Sequence, residues 1–467
     1  MSDVRDFGAV GDGQADDSDA IEHAIADGDG VITFPRGEYR ITRTITVDLA
    51  KVGRTSINGS GGVAKLIMNG PGPALRLLGT HSNTADPTGF RPAEWRRERM
   101  PTLDGIEIQG AHEEADGVQI EGVMQATLTG VLIRQVRTAV HVSQRARNLI
   151  ISHCHFYHNT GIGVHFDNLN LHQANITGSH ISYNRLGGVR IENSEIRNLQ
   201  ITGNDIEYNN NRTFKVPGAD DVATAEIYID VGEKGSVREG TISSNTLQAT
   251  YSPNGCNIRF IGRPDEHSRT TGMWSISGNV IGSQAINVHM TSARGVTIEG
   301  NHIYSGHVRN VLLEDCGNVV FGGNCLTHNP DYTTSKQSTG IRAVDCTGLT
   351  LSGLLVQDAE SPDAETPAAQ TIPRQGLLEL IRCRRVNLSG SQLLEGAPHG
   401  AYLEDCSDTL ITGCTILDGR TNKQMQSAIR WVGSGSGNMI AASRIGSGRS
   451  GAIVAPDHVR QSDNLLD

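Results

Sequence analysis

Apolar and polar residues alternate along this chain in short bursts, and the bursts keep closing on the same few letters: "ANITGSH", "LQITGND", "GTISSNT", "WSISGNV", "VTIEGNH", "VVFGGNC", "VNLSGSQ" and "TLITGCT". A period of two over such short runs is the signature of a strand with one face buried. The residue after each I-x-G, taken as a corner, is in turn His153, Ser179, Asn204, Asn245, Asn279, Asn301, Asn324, Leu354, Ser391, Cys414 and Ser443. Asn279, Asn301 and Asn324 are 22 and 23 residues apart, a spacing that belongs to solenoids. Two positions past the corners stand Ile181, Ile206, Leu247, Ile281, Ile303, Leu326, Val356, Leu393, Ile416 and Ile445, with Phe156 three past His153, and together they predict an interior apolar column. Two more alternating segments precede each corner, as "GVRIEN" (188–193) and "NLQITG" (198–203) precede Asn204. Each repeat therefore holds three strands, and the predicted fold class is all-β, a parallel β-helix with three strands per coil.

Coils stacked at the strand spacing of about 4.8 Å let each corner Asn hydrogen-bond the corners above and below, which is a reason for the motif to recur. Cys316, Cys346, Cys383 and Cys406 each lie eight residues before a corner and predict a second stack. They are expected as buried reduced thiols, because parallel in-register Cβ vectors stay too far apart for easy bridging. Tyr157, Tyr183 and Tyr208, each four past a corner, predict a packed aromatic stack. The stretch "HCHFYHN" (153–159) has no usual zinc spacing.

Residues 4–42, "VRDFGAVGDGQADDSDAIEHAIADGDGVITFPRGEYRIT", read as a strand, a Gly-rich turn, a short helix and a strand pair. Asp17 or Ser18 is the expected helix cap, with Ala20, Ile21, Ala24 and Ile25 on one face. Such a helix would cover the open end of a solenoid. Asp6 to Ile21 and Phe34 to Tyr39 match the opening D-[FY]-G-A-x-G-D-G-x-x-D-D-[ST]-x-A-[IL] and F-P-x-G-x-[YF]. In these residues the chain resembles the pectate-lyase-like superfamily of right-handed parallel β-helix proteins, which includes lyases, hydrolases, epimerases and tail-spike depolymerases. The resemblance implies one single-stranded right-handed β-helix domain over 1–467, with a helical N-terminal cap (1–45), first coils and an insertion loop (46–102), regular coils (103–445) and a C-terminal cap (446–467). It also implies turn and capping roles for Asp12, Asp16 and Asp17, and a substrate groove along the first strand of each coil.

Composition agrees with many short strands and tight corners: 55 Gly, 15 Pro and 4% aromatic residues. The net charge of -11, with no basic run longer than "WRRER" (95–99), leaves no phosphate-binding footprint, so nucleic acid is not an expected partner. No run of about 18 apolar residues is present to span a bilayer. The opening "MSDVRDFGAV" lacks the apolar core of a secretion signal. A polymer-degrading role implies a secreted or periplasmic protein whose leader has been removed, with cytoplasmic residence as the alternative. Monomer and homotrimer are both compatible with the sequence.

Alternation points Gln119, His141, His165, Arg190, Tyr228, Arg259, Asn287, Leu312, Arg342, Glu379, Tyr402 and Arg430 outward from the first strands. Long loops are expected at 81–102, which carries an exposed Trp95, and at 205–225, 262–273, 325–339 and 355–376. The column His141, His165, Arg190, Tyr228, Arg259 suits a chain-like ligand, with Arg neutralising carboxylate or sulfate and rings stacking on sugar faces. Substrate-binding roles are expected for His141, Lys215, Asn287, His289, Arg342 and Trp95. β-Elimination of a uronic acid needs a neutralised carboxylate, a base and an acid, and Arg190 or Arg259, His165 and Tyr228 suit those roles. Asp220, Asp221, Glu226 and Asp230 offer instead the carboxyl pair of glycoside hydrolysis, or a calcium site. Calcium is the one metal left open, and no other cofactor is implied. The calcium aspartates and arginine motif of pectate lyases are not found, and "GADD" and "PHGAYL" (398–403) lie six coils, roughly 29 Å, apart, too far to serve one sugar. The expected function is cleavage of glycosidic bonds in an acidic polysaccharide or oligosaccharide by β-elimination. Hydrolysis, C5-epimerisation and non-catalytic, tail-spike-like glycan binding are the alternatives.

Overall fold

The computed structural model describes residues 1–82, 91–264, 271–329, 331, 340–357 and 373–467, so parts of the long loops expected at 81–102, 262–273, 325–339 and 355–376 lie outside the described residues. The chain divides into two compact units, Met1–Thr241 and Ile242–Asp467.

The first unit begins with the expected cap. Helix Ser18–Asp27 buries Ala20, Ile21, Ala24 and Ile25, so its apolar stripe is the one read from the spacing. Asp17 occupies the N-cap position but makes no side-chain cap bond; its carboxylate accepts from the backbone N–H of Val10 at 2.6 Å and Gly11 at 3.1 Å. It thereby fastens the Gly-rich turn to the helix start. Gly11 has φ 67° and a Cβ there would sit 2.8 Å from the Tyr39 ring, which is why this turn needs glycine. Asp12 and Asp16 are spent the same way, on Gln14, Ala15, Ser18 and Thr42.

Beyond the cap the chain forms parallel ladders with three strands per coil, the right-handed parallel β-helix that the repeats imply. First strands pair in register through Gln119↔His141, His141↔His165, His165↔Arg190 and Arg190↔Tyr228. Third strands stack the expected column, with Phe156, Ile181 and Ile206 fully buried, and Ile133 and Ile108 extend it toward the cap. One corner differs from the expectation. His153 is exposed with φ 54°, and Cys154 fills the corner, its N–H donating to Ser179 Oγ at 3.1 Å. His153 is thus the counterpart of Gly178, Phe156 falls two past the corner like its counterparts, and the aromatic stack shifts by one residue. His158, not Tyr157, lies over Tyr183 at 5.4 Å, and Tyr183 stacks on Tyr208 at 5.5 Å.

The second unit repeats the scheme. Leu247, Ile281, Ile303, Leu326, Val356, Leu393, Ile416 and Ile445 are fully buried, and the corner amides form a chain from Asn245 to Asn279 (3.0 Å), Asn301 (2.9 Å) and Asn324 (3.0 Å). An unmade bond at such a buried amide costs about 1–3 kcal/mol, so each corner constrains the next. Cys316, Cys346, Cys383 and Cys406 are buried and free, and the Cys316 N–H lies 3.4 Å from Cys346 Sγ. Within residues 446–467, Ile453–Val454, Arg460–Ser462 and Leu465–Leu466 add pairs to the three ladders.

Candidate functional site

On the outer face of the first unit, alternation produces two adjacent rows. One is Gln119, His141, His165, Arg190, Tyr228; the other, two residues further along each strand, is Glu121, Ser143, Asp167, Glu192, Asp230. A cationic and aromatic row therefore runs beside a mostly acidic one. The His141 and His165 rings stack at 5.4 Å. His165 Nε2 lies 3.0 Å from Glu192 Oε2, while Arg190 donates to Glu192 Oε1 at 2.8 Å and lies over the Tyr228 ring at 4.2 Å. Burial pushes the Glu192 carboxyl up, but the hydrogen bonds from His165 and Arg190 outweigh it and hold the group at about 2. Burial and the neighbouring His165 depress the His141 pKa, which favours a neutral imidazole. Its Nε2 is buried without a hydrogen bond, 3.9 Å from Asp167 Oδ2.

These two imidazoles open into a cavity of about 610 Å³, lined also by Gln119, Asp116, Asp167 and, from the loop after the third strand, Lys215. Asp116 is already engaged by Arg137 and by the Thr138 N–H. Leu186, Val216 and Pro217 supply an apolar wall.

The structure brings together only some of the expected site residues. His141, His165 and Lys215 line the cavity. Arg190 and Tyr228 share the face without lining the cavity; Arg190 is neutralised by Glu192, and Tyr228 is 9% exposed with its hydroxyl 3.4 Å from Asp230. Asp220 pairs with Arg185, and Asp221 lies exposed on the turn Ala219–Asp221; neither lines the cavity. Glu226 is buried against Asn209 and its pKa is pushed well up by burial. Trp95, on helix Pro92–Arg97, is 41% exposed beside Arg99 and is also outside the cavity lining.

In the second unit Arg259 pairs in register with His289, which contacts Glu314 at 2.6 Å. Arg342 bonds the fully buried Glu379, which also takes Arg309 at 2.9 Å. Asn287 is a correction: it is fully buried, not outward, accepting from Asn257 at 2.9 Å and donating to Asn310 at 2.6 Å in an internal amide ladder. It sits where the strand leaves a corner, and there the bend turns the side chain inward; His289 holds the outward place. Asp167 and Glu192 were missed as site residues, although "VHFDN" and "VRIEN" place a carboxylate two residues past the basic one on the same face. Among the described residues, no group of three or more His, Cys, Asp or Glu is arranged to hold a metal ion.

Residues 1–73 match the family described as "Rhamnogalacturonase A/epimerase, pectate lyase-like", and residues 95–226 match "Right handed beta helix region". The resemblance drawn from the cap motif and the repeats to pectate-lyase-like β-helix proteins therefore stands. No curated protein matches the chain. Solved structures similar to it include the A-module of a mannuronan C-5 epimerase from Azotobacter vinelandii (14% identity, 100% of this chain and 99% of that one, TM-score 0.44). The Dettilon tailspike protein (14%, 91% and 67%, 0.45) and a surface adhesin of Streptococcus pneumoniae (12%, 86% and 88%, 0.47) are also similar. No described helix is long and apolar enough to cross a membrane.

Proposed function

We propose that the first unit binds an acidic polysaccharide outside the cell and cleaves its glycosidic bonds by β-elimination at the His141–His165 cavity. The observation that carries this reading is the pair of stacked imidazoles, one held by Glu192 and the other with a buried Nε2 that no hydrogen bond occupies. A neutral imidazole on the cavity wall suits a general base. In this reading His141 takes the proton α to the uronate carboxylate, the bond from ring carbon to leaving oxygen breaks as the ring double bond forms, and His165, oriented by Glu192, gives that oxygen a proton. Lys215, which faces the cavity, replaces Arg190 as the group that neutralises the uronate carboxylate, because Arg190 is already committed to Glu192.

A second reading is hydrolysis, supported by the two carboxylates, Asp116 and Asp167, that line the same cavity. Incubation with polyuronates and sulfated glycans separates the readings. New ultraviolet absorbance from an unsaturated ring, lost by at least about a hundredfold in both His141→Ala and His165→Ala, is the expected result. Reducing ends without that absorbance indicate hydrolysis, altered uronate stereochemistry without cleavage indicates epimerisation, and retention alone indicates a binder; each rejects the lyase.

A further inference from the structure

Arg145 and Arg147 lie on strand Val140–Ser152, just past a register shift at Ser143/Gln144 that leaves Gln144 at φ 61°. Ala146 between them is buried in the interior, so alternation sends both guanidinium groups outward. They are nevertheless only 7% and 8% exposed. The buried His81 feels both of their charges as well as that of Glu94, 3.7 Å from its Nδ1. Burial and the like charge of Arg147 both disfavour the Arg145 cation, and Glu195 is the carboxylate that opposes them.

Among the described carboxylates nearby, Glu94 keeps Oε2 buried without a hydrogen bond, 3.7 Å from His81 Nδ1, and the remaining oxygens are largely engaged. Glu94 Oε1 takes Arg91 Nε at 2.6 Å, Glu98 takes the N–H and hydroxyl of Thr80, Glu121 takes Arg76 and Gln119, and Glu195 takes Asn170 at 3.1 Å. Among the described residues, Arg145 Nε and one of its terminal nitrogens are buried with no hydrogen-bond partner. His172, the register partner of Arg147 on the next coil, likewise buries an Nδ1 with no partner, and Arg197 continues the row. Arginine does not escape such a position by losing its proton, so a buried guanidinium lacking its hydrogen bonds calls for an anion.

We propose that Arg145, with Arg147 and His172, forms an oxyanion-binding site, taking a sulfate or carboxylate group either from an acidic glycan or free from solution. None of the three lines the His141 cavity, so the site stands whether or not the lyase reading does. Two guanidinium groups, with a ring nitrogen on the adjacent coil, suit a group that presents two or more oxygens, where Arg can bind in bidentate fashion.

The test is calorimetric titration of the full chain with sodium sulfate and sodium acetate at fixed ionic strength. A chondroitin sulfate oligosaccharide and an oligogalacturonate are titrated in parallel. With the free ions one saturable site is expected, weakened at least about tenfold in Arg145→Gln. Tighter binding of an oligosaccharide than of the matching free ion, weakened in Arg145→Gln, assigns the site to glycan; an oligosaccharide affinity that Arg145→Gln leaves unchanged assigns it to the free ion. Absence of saturable binding in the wild type, as when Glu94 swings over to pair with Arg145, overturns the proposal, and so does undiminished binding in Arg145→Gln. Should that variant not fold, the melting temperature of the wild type and of Arg147→Gln in sulfate against chloride decides: a sulfate-specific rise confined to the wild type is expected, and equal behaviour in both salts overturns it.

Discussion

Glu192 is drawn in two directions, since its burial favours the neutral acid while His165 and Arg190 favour the carboxylate, and the partners win. Its folded value of about 2 lies below the ordinary 4.5, so the stability it contributes is complete above about pH 4.5 and is lost as pH falls toward 2. The contribution is on the order of 3 kcal/mol at most. Glu192→Gln is expected to flatten the acid limb of stability between pH 5 and pH 3, measured as denaturation midpoints, and a limb as steep as the wild type's would show that Glu192 does not carry it. His141 also has a depressed pKa, so the folded state prefers it neutral; its contribution is full above about 6.5 and declines as pH drops through that value. Asp220 is committed to Arg185 and mostly exposed, so Asp220→Asn is expected to change turnover by less than about threefold, whereas a hydrolase acting through it would lose far more. The histidines of this site were legible from alternation alone. Asp167 and Glu192 were equally available on the same face, but a reading that took one outward position per strand passed over them.

Corners decide more than strands do. The rule of two holds within each short strand and lapses where the chain bends, as Asn287 shows: its parity points outward, yet it lies in a buried ladder between Asn257 and Asn310. Asn287→Ala breaks both links and is expected to cost about 2–3 kcal/mol in chemical denaturation while leaving glycan binding to the first unit unchanged. Loss of binding without loss of stability would restore Asn287 to the surface role that alternation suggested. The displaced corner at Cys154 has the same origin. An exposed His153 with φ 54° takes the place that Gly178 holds one coil on, so the I-x-G pattern is broken in the letters while the geometry is kept.

At the scale of the molecule, the repeated coils leave seven of the eight cysteines buried and only Cys325 partly accessible. The thiol pKa values of Cys154 and Cys256 are raised by burial to about 11 and about 12. A thiol reagent is therefore expected to modify at most one site quickly in the native chain and the remainder only on unfolding, with a melting temperature unaffected by reductant; mass spectrometry of the labelled protein and a thermal scan check both. The coil, its three strands, the apolar column and the capping helix were determined by the sequence itself, because every turn must fill the same interior with the same pattern and the requirement is written out again each time. The meeting of Glu192 with His165, the burial of Arg145 and Arg147 within reach of each other's charge and of His81, and the inward turn of Asn287 were decided only by the tertiary structure. Those contacts join side chains from different coils or corners, and their outcome depends on which neighbour's charge or amide arrives first within bonding distance, a quantity that no single repeat contains.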